Sequence, residues 1–512
     1  MLTQHETEVP LPVLATPQRE SRGRARRRPL QRLVSAPWFL PVLLALALGL
    51  YRCTSIVLWW DELSTLDIAE RPVAGILATA RHVDAVHSFY YLFMHFWIAA
   101  FGHSILAVRL PSVLAMCGAT VCTAVIAERL FDRRVAVISA TLFALIPGVA
   151  RYATEARSYG FVVLGSAVAF LLLLRALEKS TRGRWAAYGA VLAITGALNL
   201  IALTAVAGHL VTVWLTARSR GRRSMLRPFL LVVLGVVVLE SPIMILGMME
   251  APTQLGHLPD TSLSTLPTMW EETGCSTAFS VIVLLALPVL LTHRRRVAAF
   301  TVFSAAVLPV LVLWFVSLNG IGFGYFARYL LFVLPAWAMA VAAAVDRLKG
   351  PNPAACLAIV LVTALAVAHD QVVLHTELSH FDYDYPGPSV VSEDYPAAAS
   401  IIESRYRPGD EASFAGSPHL DLGVNYYLPA DEQLRDIFIE KTDVQTHSLV
   451  PEFCTDTAAC VAKASDRVWM VESGDVVPYT TERVDWEFSL MMTYRIVEIW
   501  HVDGITLTLL ER

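Results

Sequence analysis

Two adjacent carboxylates, Asp61 and Glu62, follow directly on an apolar run at 37–58 that is long enough to cross a bilayer. They therefore sit where hydrocarbon meets water, and ionisable groups at that depth are functional candidates by default. An acid placed there can take a proton from a hydroxyl. The competing reading is a helix start, because Asp and Glu commonly open helices at the positive end of the dipole. Downstream, the run 84–91 has the form D-x-x-H-x-x-x-Y and carries Asp84 and His87. Four arginines, Arg52, Arg109, Arg157 and Arg328, lie at the edges of apolar runs, with Glu155 and Tyr159 flanking Arg157, and Tyr325 and Tyr329 flanking Arg328. The planar guanidinium is suited to bidentate recognition of phosphate. Each arginine taken singly could instead pair with a nearby acid or snorkel to the headgroups, a reading that weakens when four occur on one face.

Together these residues suggest cleavage at a phosphate ester. Cations would stabilise the charge that develops on a phosphate leaving group while Asp61 removes a proton from the attacking hydroxyl. His87 with Asp84 and Asp61 also offers nitrogen and oxygen ligands for a divalent ion. No histidine pair at ligand spacing supports that use, so orienting substrate or holding the loop suits His87 better. Neither step needs a nucleotide, and no phosphate-binding glycine motif is present, since GFG at 322–324 is too short. No cofactor is required by this chemistry, although a divalent metal is compatible with it.

The elements that must position these residues are membrane helices. The chain has 512 residues, 55% of them hydrophobic and 16% charged, too apolar for a soluble enzyme. A bilayer needs about 20 apolar residues per span, and by that measure the runs between 37 and 369 predict about 11 transmembrane helices. Residues 1–34 are rich in Pro and Arg and predict a disordered basic tail. Its SRGRARRRPLQR segment directly precedes an apolar span, which favours a topology signal over a nucleic-acid patch. With the tail inside, the inner loops carry 24 Lys and Arg against 5 in the outer ones, as cytoplasmic loops should. Every polar cluster named above then falls on the outer side. The alternation also makes 88–101 an interfacial helix within the outer loop 59–104, because counting it as a span would reverse every later loop.

After about residue 370 the composition becomes that of a soluble domain. Strands are expected at EASFAG, RVWMVES, RIVEIWH and ITLTLLE, the last two around a turn at Val502-Asp503-Gly504, with a helix at 394–405. The fold class is thus an all-α polytopic membrane bundle at 35–370 with a small α/β extracytoplasmic domain at 371–512. Cys454 and Cys460, six apart in a polar segment on the oxidising side, could form a local disulfide.

These segments resemble membrane glycosyltransferases of the GT-C fold, in particular the family 39-like enzymes that use polyprenyl-phosphate sugars and include protein O-mannosyltransferases and aminoarabinose transferases. The matching pieces are WWDE at 59–62, the 84–91 run, FGHSILAVRLPSVLA at 101–115, PGVARYATEARSYG at 147–160 and FARYLLFVLPA at 326–336. The resemblance implies that Asp61 is the catalytic base with Glu62 as its acidic neighbour, and that Arg109, Arg157 and Arg328, with Arg52, hold the donor phosphate. The two prolines usual after the loop histidine are replaced by Ser88-Phe89, which bears on acceptor contacts. The implied activity is transfer of a sugar, mannose favoured, from a polyprenyl-phosphate donor to a hydroxyl of a glycan, lipid or protein acceptor. The implied place is the outer face of a bacterial cytoplasmic membrane. Two other functions fit the charges: a lipid-phosphate transporter or flippase, disfavoured by the lack of repeated halves, and an inactive envelope scaffold.

Overall fold

The computed structural model describes residues 36–254, 261–320, 327–349, 352–376, 393–417, 419–474 and 481–512. The chain divides into two units: one made of residues up to Leu50, Ser112–Ala153 and Ser158–Asp370, the other of Tyr51–Pro111, Thr154–Arg157 and Gln371–Arg512. One division of the chain falls between Asp370 and Gln371. The outer-loop residues 51–111, however, belong with the C-terminal part rather than with the membrane helices, because their polar side chains are satisfied there.

The first unit is helical. Among the described residues, six helices are long and apolar enough to cross a membrane, or up to nine if each of three bent pairs is one span. The bends have local causes. Arg133–Leu145 and Pro147–Ala153 meet at 60°, with Ile146 extended (ψ 124°) ahead of the proline, the conformation a following proline imposes. Thr265–Gly274 and Thr277–Leu291 meet at 109°, where Cys275 adopts φ 50° and Ser276 caps the second helix through Phe279 N at 3.2 Å. Two of the expected 11 spans are short. The run at 37–58 yields only the 12-residue helix Phe39–Leu50, about 18 Å long against a hydrocarbon core of about 30 Å. The run at 186–200 lies in Arg182–Leu198, 17 residues. Close helix contact is built on small residues: a Cβ on Gly208 would sit 3.0 Å from the backbone of Ala305 in the helix Arg296–Leu318.

In the second unit, three helices fill the loop 59–104. Trp60–Glu70 buries Leu63, Leu66, Ile68 and Ala69, and Val73–His82 follows it across Pro72. Ser88–Phe101 packs on both, with Ile68, Ile76 and Tyr91 forming their common apolar cluster. The helix expected at 88–101 is therefore present.

The C-terminal part of this unit carries a four-stranded sheet in the order β1-β4-β6-β5. Strand β1 (Glu411–Ala415) pairs in parallel with β4 (Arg467–Ser473), while β6 (Ile505–Glu511) is antiparallel to β4 and to β5 (Arg495–Val502). All four expected strands and the helix Tyr395–Glu403 are found, and the β5–β6 turn falls on Gly504 with φ 69°. A minor ribbon joins β2 (Ile439–Lys441) to β3 (Glu452–Phe453). The Cys454–Cys460 disulfide forms against the apolar cluster that includes Phe438, Val461 and Trp486.

Candidate active site

The two neighbouring acids lie in the first turn of the helix Trp60–Glu70, about 100° apart around its axis. Their surroundings differ accordingly. Glu62 points inward and is fully buried, as is Arg109. Arg109 donates from Nε to Glu62 Oε1 at 2.8 Å and from Nη2 to Oε2 at 2.6 Å. Its Nη1 donates to the carbonyls of Cys53 and Ile56 at 2.6 and 2.9 Å, and Nη2 also to that of Val57 at 3.0 Å. The Ala156 N–H adds a further bond to Glu62 Oε1 at 2.8 Å. A guanidinium has five N–H donors, and all five are spent here. The assignment of Arg109 to the donor phosphate is therefore corrected: it clamps the 53–57 turn to Glu62. Glu62, expected beside the base, is likewise a holding residue.

Asp61 occupies the other side. Its side chain is 27% exposed, and Arg157 Nε stands 3.7 Å from Oδ2. Arg157, buried, donates from Nη1 to the Asp61 carbonyl at 3.4 Å, to Thr65 Oγ1 at 3.2 Å and to the Tyr91 hydroxyl at 3.3 Å. Its Nη2 reaches His87 Nε2 at 3.2 Å. His87 Nδ1 meets Asp84 Oδ1 at 2.5 Å, and Tyr91 donates its hydroxyl to Asp84 Oδ2. A chain thus runs from Asp84 through His87 and Arg157 to Asp61. An imidazole that accepts at Nε2 from a guanidinium must carry its proton on Nδ1, so Asp84 fixes the tautomer and the ring holds Arg157. Burial by itself would raise the Asp84 carboxyl, but His87, Arg157 and the Tyr91 hydroxyl outweigh it and hold it at about 2. Burial and the Asp84 charge push the Tyr91 hydroxyl well up, keeping it a donor.

Both ring nitrogens of His87 are engaged, and among the described residues no group of three His, Cys, Asp or Glu side chains is arranged to hold an ion. Local backbone explains the cluster. Asp84 adopts φ 59° at the head of the turn Ala85–His87, a conformation Asp tolerates better than most residues, and the helix Ser88–Phe101 then carries Tyr91 onto the same face as His87. The i, i+3, i+7 spacing is that of one helical face.

Other expected residues lie elsewhere. Glu155 is fully buried in the segment Thr154–Arg157, and Arg52 is exposed with φ 54°. Tyr159, Tyr329 and Arg328 belong to the membrane unit. Tyr159 has Tyr152 at 5.5 Å and Tyr329 at 6.5 Å between ring centroids, and Arg328 is buried 6.0 Å from the Tyr329 ring. Tyr325 lies outside the described residues.

Sequence reasoning missed the residues the C-terminal part contributes. Arg71, buried in the loop, is paired with Asp67 at 2.6 Å and with Asp443, and donates to the Ser448 carbonyl at 3.0 Å. Ser64 Oγ meets His419 Nε2 at 3.0 Å. No sequence signal connects positions separated by 355 and 372 residues.

Residues 88–245 match the family model described as dolichyl-phosphate-mannose-protein mannosyltransferase. The solved structure of ArnT from Cupriavidus metallidurans bound to undecaprenyl phosphate superposes with a TM-score of 0.57 at 13% identity, covering 92% of this chain and 97% of that one. This chain has the GT-C fold. The apo form of the same ArnT gives the same TM-score at 15% identity with equal coverage. No curated protein sequence matches the chain. GT-C is a fold of multi-pass membrane glycosyltransferases, and the bundle of apolar helices with a small strand-containing C-terminal domain conforms to it.

Proposed function

We propose that the chain is a membrane glycosyltransferase that moves a sugar, mannose favoured, from a polyprenyl-phosphate donor to a hydroxyl acceptor. The observation that carries this reading is the partly exposed Asp61 carboxylate beside a buried arginine that a His–Asp pair and a tyrosine hold in place. In the proposed step Asp61 takes the acceptor proton as the acceptor oxygen attacks the anomeric carbon. The bond from that carbon to the phosphate oxygen breaks on the opposite face, inverting the centre, and polyprenyl phosphate departs. Arg157 stands 3.7 Å from Asp61, and positive charge in a low-dielectric site stabilises the developing phosphate charge. Arg328 and Arg52 retain their assignment to the donor phosphate, which a raised donor KM in R328A and R52A would support.

The acceptor is a glycan, lipid or protein hydroxyl at the outer face of a bacterial cytoplasmic membrane, with the N-terminus inside. The bias of Lys and Arg between alternate loops supports this orientation. The deciding test supplies radiolabelled mannose, arabinose and aminoarabinose on undecaprenyl phosphate to the purified protein and follows release of undecaprenyl phosphate. Turnover that disappears in D61N supports the reading. Turnover in D61N equal to that of the unaltered protein removes Asp61 as the base, and a protein that moves the intact donor across a bilayer without cleaving it is a flippase.

A further inference from the structure

The C-terminal part places one titratable ring against the helix that carries Asp61. Ser64 Oγ donates its only proton to the Trp60 carbonyl at 2.9 Å. It can meet His419 Nε2 at 3.0 Å only as an acceptor, so Nε2 carries a hydrogen and Nδ1 of the neutral ring is an acceptor. Ser64 stands three residues after Asp61, on the adjoining turn of the same helix face. His419 is itself held in an unusual backbone state, φ 68°, directly before the helix Leu420–Tyr427. A bulky residue keeps such a conformation only where the surrounding structure fixes it, and such positions gather at functional sites.

We propose that His419 is a positioning residue delivered by the C-terminal domain: its Nε2–H bond to Ser64 fixes the helix turn that presents Asp61 to the incoming hydroxyl. The inference rests on the glycosyl-transfer reading above. The groups acting on the ring are Asp61 and Asp443, which favour its protonation, and burial, which outweighs them and keeps the ring neutral. A neutral ring leaves the Asp61 charge to Arg157 and to the acceptor. A protonated one would compete for Asp61 and weaken it as a base.

The test uses the full-length protein in nanodiscs, undecaprenyl-phosphate-linked mannose as donor, and a synthetic serine- and threonine-rich peptide and octyl glucoside as acceptor probes. H419A should lower kcat/KM for the acceptor about 10-fold, mainly through kcat. H419Q, whose amide N–H can still donate to Ser64, should recover most of it. The acid limb of the pH profile should also move to lower pH in H419Q, because no ring is left to become protonated. Independently of turnover, NMR of labelled histidine should show the His419 titration moving down in D61N, where the carboxylate that favours its protonated form is gone. An active protein whose acceptor kcat/KM is unchanged in H419A overturns the assignment alone. So does equal impairment of H419A and H419Q with an unmoved pH profile, or a His419 titration that D61N leaves in place. A wild-type protein that releases undecaprenyl phosphate from none of the three donors removes the transfer reading itself, and His419's role with it.

Discussion

Asp61 and Glu62 are neighbours in the chain, yet each takes part in a different kind of ion pair. Glu62 and Arg109 form a closed unit: both side chains are fully buried and every donor of the guanidinium has an acceptor. Asp61 and Arg157 form a looser one, 3.7 Å apart with the carboxylate partly exposed, and the arginine is held at longer range by Thr65, Tyr91 and His87. A saturated pair holds structure and has no group left to bind with. A pair whose acid touches solvent and whose base is fixed by a third party is arranged to accept something else. One step along a helix thus separates the group that builds the site from the group that works in it.

The largest effect expected is on the looser pair. D61N should lower transfer by about 10²–10⁴-fold, the usual contribution of a positioned general base, with the melting temperature near that of the unaltered protein; initial rates and thermal unfolding in detergent measure both. Comparable losses of fold in D61N and in a Glu62 variant would erase the distinction. For the closed pair, E62A or R109A should cost about 3–5 kcal/mol, because each strands an uncompensated buried charge. The readout is denaturant unfolding, and full stability with lost donor binding would restore Arg109 to phosphate recognition.

D84N probes the support beneath Arg157. The Asp84 carboxyl sits at about 2 against an ordinary 3.8, so it is depressed in the folded state. Its stabilisation, about 2 kcal/mol, is full above pH 4 and fades as pH falls toward 2. D84N should remove that increment at neutral pH, and its stability should change less than the unaltered protein's between pH 4 and 2.

Asp67 gives the opposite sign. Burial and the neighbouring Asp443 raise its carboxyl to about 7, with Arg71 opposing them. A raised acid loses stability as pH climbs from its unfolded value through its folded one. Unfolding measured between pH 4 and 8 should show this decline, and D67N should flatten it; an unchanged slope in D67N would assign the decline to other groups.

Much of this was legible in the sequence and some was not, for identifiable reasons. The D-x-x-H-x-x-x-Y run already singled out Asp84 and His87, though not Tyr91 as their partner, and the strands with a turn at Gly504 were expected where they occur. Charge bias separated the helix Ser88–Phe101 from the spans. Arg109 and Arg157 could not be told apart, because both are arginines near apolar edges and only the direction of the facing carboxylate distinguishes a clamp from a site. The length of the first helix was overestimated, since hydropathy does not register the left-handed turn at Arg52. His419 and Asp443 were beyond reach because pairing across hundreds of residues leaves no periodicity to read.

The bond from Arg71 to Asp443 spans 372 positions. At a synthesis rate of about 5–20 residues per second, the ribosome needs roughly 20–75 s to make the second partner after the first. For that interval the nascent loop helix holds an arginine destined for burial with half its counter-charge not yet translated. A chain released before position 443 would carry Arg71 but neither Asp443 nor the Ser448 carbonyl, so messenger truncation near the 3′ end should leave this buried cation half-paired.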